Sequence, residues 1–147
     1  MFKKVLLATD GSKSAFKAAE YAMSIAGSMN AEIIVLYVID MSLFTGMPTE
    51  KAIQDVKEML ISEGKNAFDE INELSKKYMK QFKKEIPITF ITKKGHPVDI
   101  ILKTVDEEEI DLVVMGTSGK HGMDRFMLGS VSEHVVRSST SSVLVVR

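Results

Sequence analysis

The sequence predicts an α/β fold, a single doubly wound parallel sheet of five strands with helices on both faces. Three observations carry this. Five short apolar runs alternate along the chain with stretches that show helical periodicity, the pattern of strands joined by crossover helices. The runs are nearly continuous rather than alternating, as strands covered on both faces should be. The fourth run breaks into a glycine-punctuated loop and then a helix, across Leu112–Ser132.

In chain order, Val5–Ala8 is the first strand and Thr9-Asp10-Gly11-Ser12 the turn after it. Ala15, Ala18, Ala19, Ala22, Ile25 and Ala26 then recur at helical spacing to a stop near Gly27, an alanine face suited to close packing on a sheet. Ile33–Ile39 is a β-branched second strand. Residues 41–48 have no period yet carry Leu43, Phe44 and Met47, which suggests a lid or contact segment. From Thr49 to Glu85 an amphipathic pattern runs through Ile53, Val56, Leu60, Ala67, Ile71 and Leu74. One helix of that length would reach roughly 50 Å, and Gly64 costs about 1 kcal/mol within it, so a bend or a frayed first half is expected there. Ile86–Thr92 is the third strand. Gly95-His-Pro-Val-Asp99 opens a helix with Pro97 at its first position and Asp99 in its first turn. Leu112–Met115, a last helix from Val131 to Ser138 and the strand Ser142–Val146 complete the series, with Ser130 placed to cap the last helix.

Composition narrows the function. A length of 147 residues fits one domain. A net charge of −1 leaves no electrostatic footprint for nucleic acid or an anionic membrane. Without cysteine, thiol catalysis and Cys-ligated zinc are excluded. The N-terminal apolar run is too short for a signal peptide and none reaches spanning length, so the cytoplasm is expected.

The chemistry concentrates at Gly116-x2-Gly119-x9-Gly129-Ser130. Strand, glycine loop and helix start together hold phosphate: glycines let the backbone approach an anion, and the helix adds unpaired N–H donors with a partial positive charge. The spacing fits neither the P-loop nor the dinucleotide fingerprint. It matches the G-x2-G-x9-G-[S/T] signature of the ATP-binding branch of the universal stress protein family, which the chain resembles from end to end. Val5-Leu-Leu-Ala-Thr-Asp-Gly-Ser12, Leu36-Tyr-Val-Ile-Asp40, Gly95-His-Pro97 and Val143-Leu-Val-Val146 also stand where that family has counterparts.

The resemblance implies strand order 3-2-1-4-5 in a Rossmann-like, adenine nucleotide alpha hydrolase-like fold. The reversal between the first and fourth strands would then set Thr9-Asp10 beside the glycine loop, where open α/β sheets bind ligands. It implies ATP with Mg2+ as ligand. Phosphates would lie against the backbone around Gly116, Gly119, Gly129 and Ser130, within reach of Ser132, with Met115 and Val131 also at the nucleotide, the adenine edge on the Val38 backbone, and Asp10 on the metal or a ribose hydroxyl. Asp10 would also serve the turn before Ser12, a role compatible with the first, and the alternative for Ser132 is an ordinary surface position. Lys120, His121 and Arg125 could each approach a phosphate, though such charges more often form a solvated loop face. His96 and His134 lack clustered partners and make poor metal ligands.

No paired carboxylates, nucleophile elbow or kinase catalytic loop is present. The reading is therefore an ATP-binding regulatory or stress-response module with at most slow hydrolysis. Its alternatives are a phosphoryl-transfer enzyme completed by a partner and a nucleotide-independent interaction module. Because no tail follows the strand 143–146, the resemblance also implies a homodimer in which two such edge strands pair.

Overall fold

The computed structural model describes residues 1–117 and 128–147. Five parallel strands, β1 (Lys4–Thr9), β2 (Glu32–Asp40), β3 (Ile88–Gly95), β4 (Leu112–Gly116) and β5 (Ser142–Val146), form one sheet in the order β3-β2-β1-β4-β5. The doubly wound architecture and its strand order are as the sequence and the resemblance led us to expect.

Alternation along the central strands divides the core between the two faces. Val5, Leu7, Val35 and Val114 meet helices α1 (Lys13–Met29) and α2 (Glu50–Phe82). Leu6, Leu36, Val113 and Met115 meet α3 (Pro97–Glu107) and α4 (Ser130–Ser138). The small side chains of Ala18, Ala19 and Ala22, all fully buried, let α1 lie close to the sheet.

Caps define the helix ends. Ser12 accepts from the Ala15 N–H at 3.2 Å, and α1 continues past Gly27 to Asn30, whose left-handed conformation closes it. Thr49 caps α2 through the Ala52 N–H at 3.0 Å. α2 is assigned as helix without interruption through its 33 residues, Gly64 included. Gly64 is a seat for the helix: a Cβ there would stand 2.6 Å from Cδ1 of Tyr37. Leu60 is the first buried residue of α2, so its opening turns, with Ile53 and Met59, are largely exposed. Residues 41–48 begin with a short 3-10 turn, Met41–Phe44, capped by the Asp40 carboxylate.

Two boundaries differ from expectation. β3 starts at Ile88 and runs on through Lys93 and Lys94. Pro87 has no N–H for the ladder, although its carbonyl accepts from Ile33, and an edge strand accommodates lysines that a central one would not. Gly129, not Ser130, is the N-cap of α4, and Ser130 is the first helical residue. The reason lies two residues on: Ser132 directs its hydroxyl back to the Gly129 carbonyl at 3.0 Å and to the Thr117 carbonyl at 3.1 Å, which fixes where the helix turns.

Candidate functional site

The reversal in strand order lies between β1 and β4, so their carboxyl ends and the two following helix starts converge. Past β1 the chain turns tightly: the Gly11 N–H donates to Thr9 Oγ1 at 3.1 Å and the Ser12 N–H to Asp10 Oδ1 at 2.9 Å. Gly11 occupies the left-handed region, φ 80°. Asp10 is half-buried, and its second carboxylate oxygen has no hydrogen bond among the described residues.

β4 ends directly against α1. A Cβ on Gly116 would come within 2.5 Å of Ser14 Oγ, 2.8 Å of the Ser14 carbonyl carbon and 2.9 Å of the Ala15 nitrogen. Thr117 then serves as a clasp. Its N–H donates to the Val146 carbonyl at 2.9 Å, and its carbonyl accepts from the Gly129 N–H at 2.7 Å as well as from Ser132. The start of α4 is thereby drawn to the end of β4, itself in contact with the start of α1. Gly129 supplies no side-chain cap, so the first-turn N–H groups of Ser130 and Val131 are left without the partner a serine or aspartate would give.

Thr9, Asp10, Met115, Gly116, Gly129, Ser130, Val131 and Ser132 all lie at these strand ends or helix starts. Met115 is buried against the α3–α4 face, and Ser132 is buried with its proton directed to carbonyls. Gly119, Lys120, His121 and Arg125 lie outside the described residues. Val38 stands one position beyond the Thr9–Tyr37 pair that ends the β1–β2 register. The Glu32 N–H meets β1 and the Ile33 N–H meets Pro87 beside β3. That alternation turns the Val38 backbone toward β1 and leaves its carbonyl just past the end of that strand.

Sequence reasoning missed Tyr37, Glu63 and Ser14. Tyr37 is 3% exposed, its ring set edge-on to Phe68 at 6.4 Å and flush against Gly64. Burial, then the Glu63 and Asp10 carboxylates, push its pKa up to about 12. The only sequence signal was its place before Val38 in a strand that otherwise reads as plain core.

Two hollows adjoin α1 and α2. One, lined by Thr9, Gly11, Ser12, Phe16 and Glu70 among others, holds about 10 Å³, room for little more than one water. The other, about 500 Å³, opens outward over Phe16 and Leu74 between the carboxylates of Asp69, Glu70 and Glu73 and the ammonium of Lys77, a net negative lining that disfavours a phosphate. Among the described residues no three His, Cys, Asp or Glu side chains are grouped to hold a metal.

The family model for universal stress proteins matches residues 1–147. The chain belongs to the universal stress protein family. Universal stress protein MJ0531 of Methanocaldococcus jannaschii is 34% identical over 147 residues, spanning 100% of this chain and 83% of the relative. The solved structure of MJ0577, a universal stress protein of the same organism, superposes with a TM-score of 0.82 at 32% identity, covering 99% of this chain and 96% of the other. A universal stress protein solved in complex with cAMP gives a TM-score of 0.68 at 25% identity over 99% and 97% of the two chains. Among the described residues of the present member, no helix is long and apolar enough to cross a membrane.

Proposed function

We propose that this universal stress protein is a cytoplasmic regulatory module that binds ATP with Mg2+ at the β1–β4 reversal. The observation that carries the reading is the α4 N-terminus, whose first-turn N–H groups have no side-chain cap and are drawn by the Thr117 clasp to the end of β4, which abuts the start of α1. Such a terminus favours a polyanion, and the Gly116-x2-Gly119-x9-Gly129-Ser130 spacing belongs with it. The cAMP complex of a relative supports an adenine ligand. Phosphates would rest on the backbone around Gly116, Ser130 and Val131, with Gly119 completing the motif. The Val38 carbonyl would accept from the adenine amino group.

The residues fit Mg2+ in one manner. Asp10 offers one uncommitted oxygen, and the remaining ligands would come from phosphate and water, as Mg2+ prefers. Bound there, the ion would neutralise phosphate charge. None of the described groups is placed as a general base, so hydrolysis should be slow.

Mass spectrometry of small molecules released on denaturation is expected to find an adenine nucleotide, and saturating Mg–ATP to raise the melting temperature. Asp10→Ala should weaken ATP binding more with Mg2+ than with EDTA. Equal losses would assign Asp10 to ribose or to its turn. No thermal shift with ATP, ADP or AMP would leave a nucleotide-independent interaction module, with exposed Met41 and Leu43 as its contact segment.

We also propose a homodimer through β5, which lies at a sheet edge. The Val146 carbonyl bonds Thr117 beside β4, so alternation points the Val143 and Val145 backbones to the open side. Val145→Pro therefore removes an outward donor while sparing the β4 ladder. It should convert a dimer to a monomer in sedimentation with the fold retained. A wild-type protein that sediments as a monomer at micromolar concentration overturns the assignment.

A further inference from the structure

Helices α1 and α2 meet at one end of their contact and part at the other. Near the close of α2, the Phe82 ring packs on Gly27 of α1 so tightly that a Cβ there would overlap it. Toward the start of α1 the two helices open into a groove of about 500 Å³, within the range of roughly 300–1,000 Å³ that takes ligands. Its floor is Phe16 of α1 and Leu74 of α2, both packed on the core beneath. Its charged lining comes from α2 alone: Asp69, Glu70, Glu73 and, farthest along the helix, Lys77. All four are exposed. Glu73 is already engaged, with Lys76 Nζ 2.8 Å from its Oε1. Asp69 and Glu70 make no ion pair among the described residues.

We propose that this groove is a docking site for a partner protein, which it takes by a basic segment carrying apolar side chains. Charge complementarity selects the occupant. Two uncommitted carboxylates beside an aromatic ring match arginine, whose planar guanidinium binds carboxylates in a bidentate fork and stacks on rings. Its aliphatic stem would cover Phe16, and a neighbouring leucine or phenylalanine would rest on Leu74. The groove opens outward along two helices, which suits a segment of chain better than an enclosed small molecule. Exposed ion pairs contribute little by themselves, so the apolar floor carries the affinity and the carboxylates the choice of partner. Lys77 places a cation at the other end, which disfavours a uniformly basic strand. Docking here requires no nucleotide in the β1–β4 crevice.

The test uses the full chain with leucine methyl groups and phenylalanine rings labelled with 13C, and the acetylated, amidated peptide Arg-Leu-Arg-Phe-Arg-Leu as probe. The peptide should move the Leu74 and Phe16 signals saturably. Two control peptides, with glutamate for arginine or with serine for leucine and phenylalanine, should each bind more weakly by about tenfold or more. The double variant Asp69→Lys, Glu70→Lys should lose the basic peptide by a similar factor and take up its glutamate twin, its melting temperature showing that the fold is kept. Should that variant not fold, Asp69→Asn with Glu70→Gln removes the charge at constant shape and should weaken the basic peptide severalfold. Absence of saturable shifts at Leu74 and Phe16, or equal binding of the glutamate twin, overturns the proposal. Equal binding of the serine peptide or of spermidine would reduce the groove to a cluster of carboxylates and overturn it too. Leu74 signals that move with protein concentration alone would give the groove to a second copy of this chain, against the partner reading.

Discussion

Gly116→Ala is expected to weaken Mg–ATP binding by roughly tenfold or more and to lower the melting temperature by about 6–9 °C. The added methyl would lie 2.5 Å from Ser14 Oγ, and a rotamer change could relieve that contact alone. It would also lie 2.8 Å from the Ser14 carbonyl carbon and 2.9 Å from the Ala15 nitrogen, which are helix backbone. Relief therefore requires the first turn of α1 and the end of β4 to part. Overpacking of this kind costs about 2–3 kcal/mol, and about 3 °C per kcal/mol for a chain of this length gives the shift in melting temperature. The movement reaches the site because Thr117, the next residue, holds Gly129 and Ser132 through its carbonyl. Donors displaced by a few tenths of an ångström forfeit charge-assisted hydrogen bonds worth about 1.5–3 kcal/mol each. Thermal melts and calorimetric titration of the same preparation check both effects. A variant with wild-type stability would show that β4 and α1 do not meet this closely.

The elements legible in the sequence were those whose environment is uniform. β1, β2 and β4 are buried on both faces, and their apolar runs marked them to within about one residue. β3 is covered less completely, and its polar second half, Lys93-Lys94, carried no strand signal although it pairs with Val38 and Ile39. Strand order was not legible from periodicity, which reports which face a residue takes but nothing about its neighbour; only the family resemblance supplied it. At the site, the residue types around Asp10 and Gly116 were informative because a tight turn and a close approach demand them. Ser130 misled as a cap, since the serine that shapes the α4 terminus is Ser132, acting through carbonyls from the loop before it. Tyr37 could not be found at all: its role as a seat for α2 depends on Gly64, 27 positions later, brought to it by the helix.

Gly64→Ala sets local propensity against packing. Alanine in a helix interior is favoured over glycine by about 1 kcal/mol, so sequence reasoning alone predicts a more stable protein. In the folded chain the new Cβ would stand 2.6 Å from Cδ1 and 2.7 Å from Cε1 of Tyr37. That ring cannot turn aside, being buried and set edge-on against Phe68, which is tilted over Phe90 in turn. α2 must then lift from β2, at a cost of about 2–3 kcal/mol. The net loss of about 1–2 kcal/mol should lower the melting temperature by roughly 3–6 °C. Gly27→Ala provides the contrast. Its Cβ would meet the Phe82 ring at 2.3 Å, but Phe82 is half-buried in the last turn of α2 and has solvent to move into, so propensity should offset most of the strain. A Gly64→Ala protein that melts higher than wild type would mean that α2 does not rest on Tyr37.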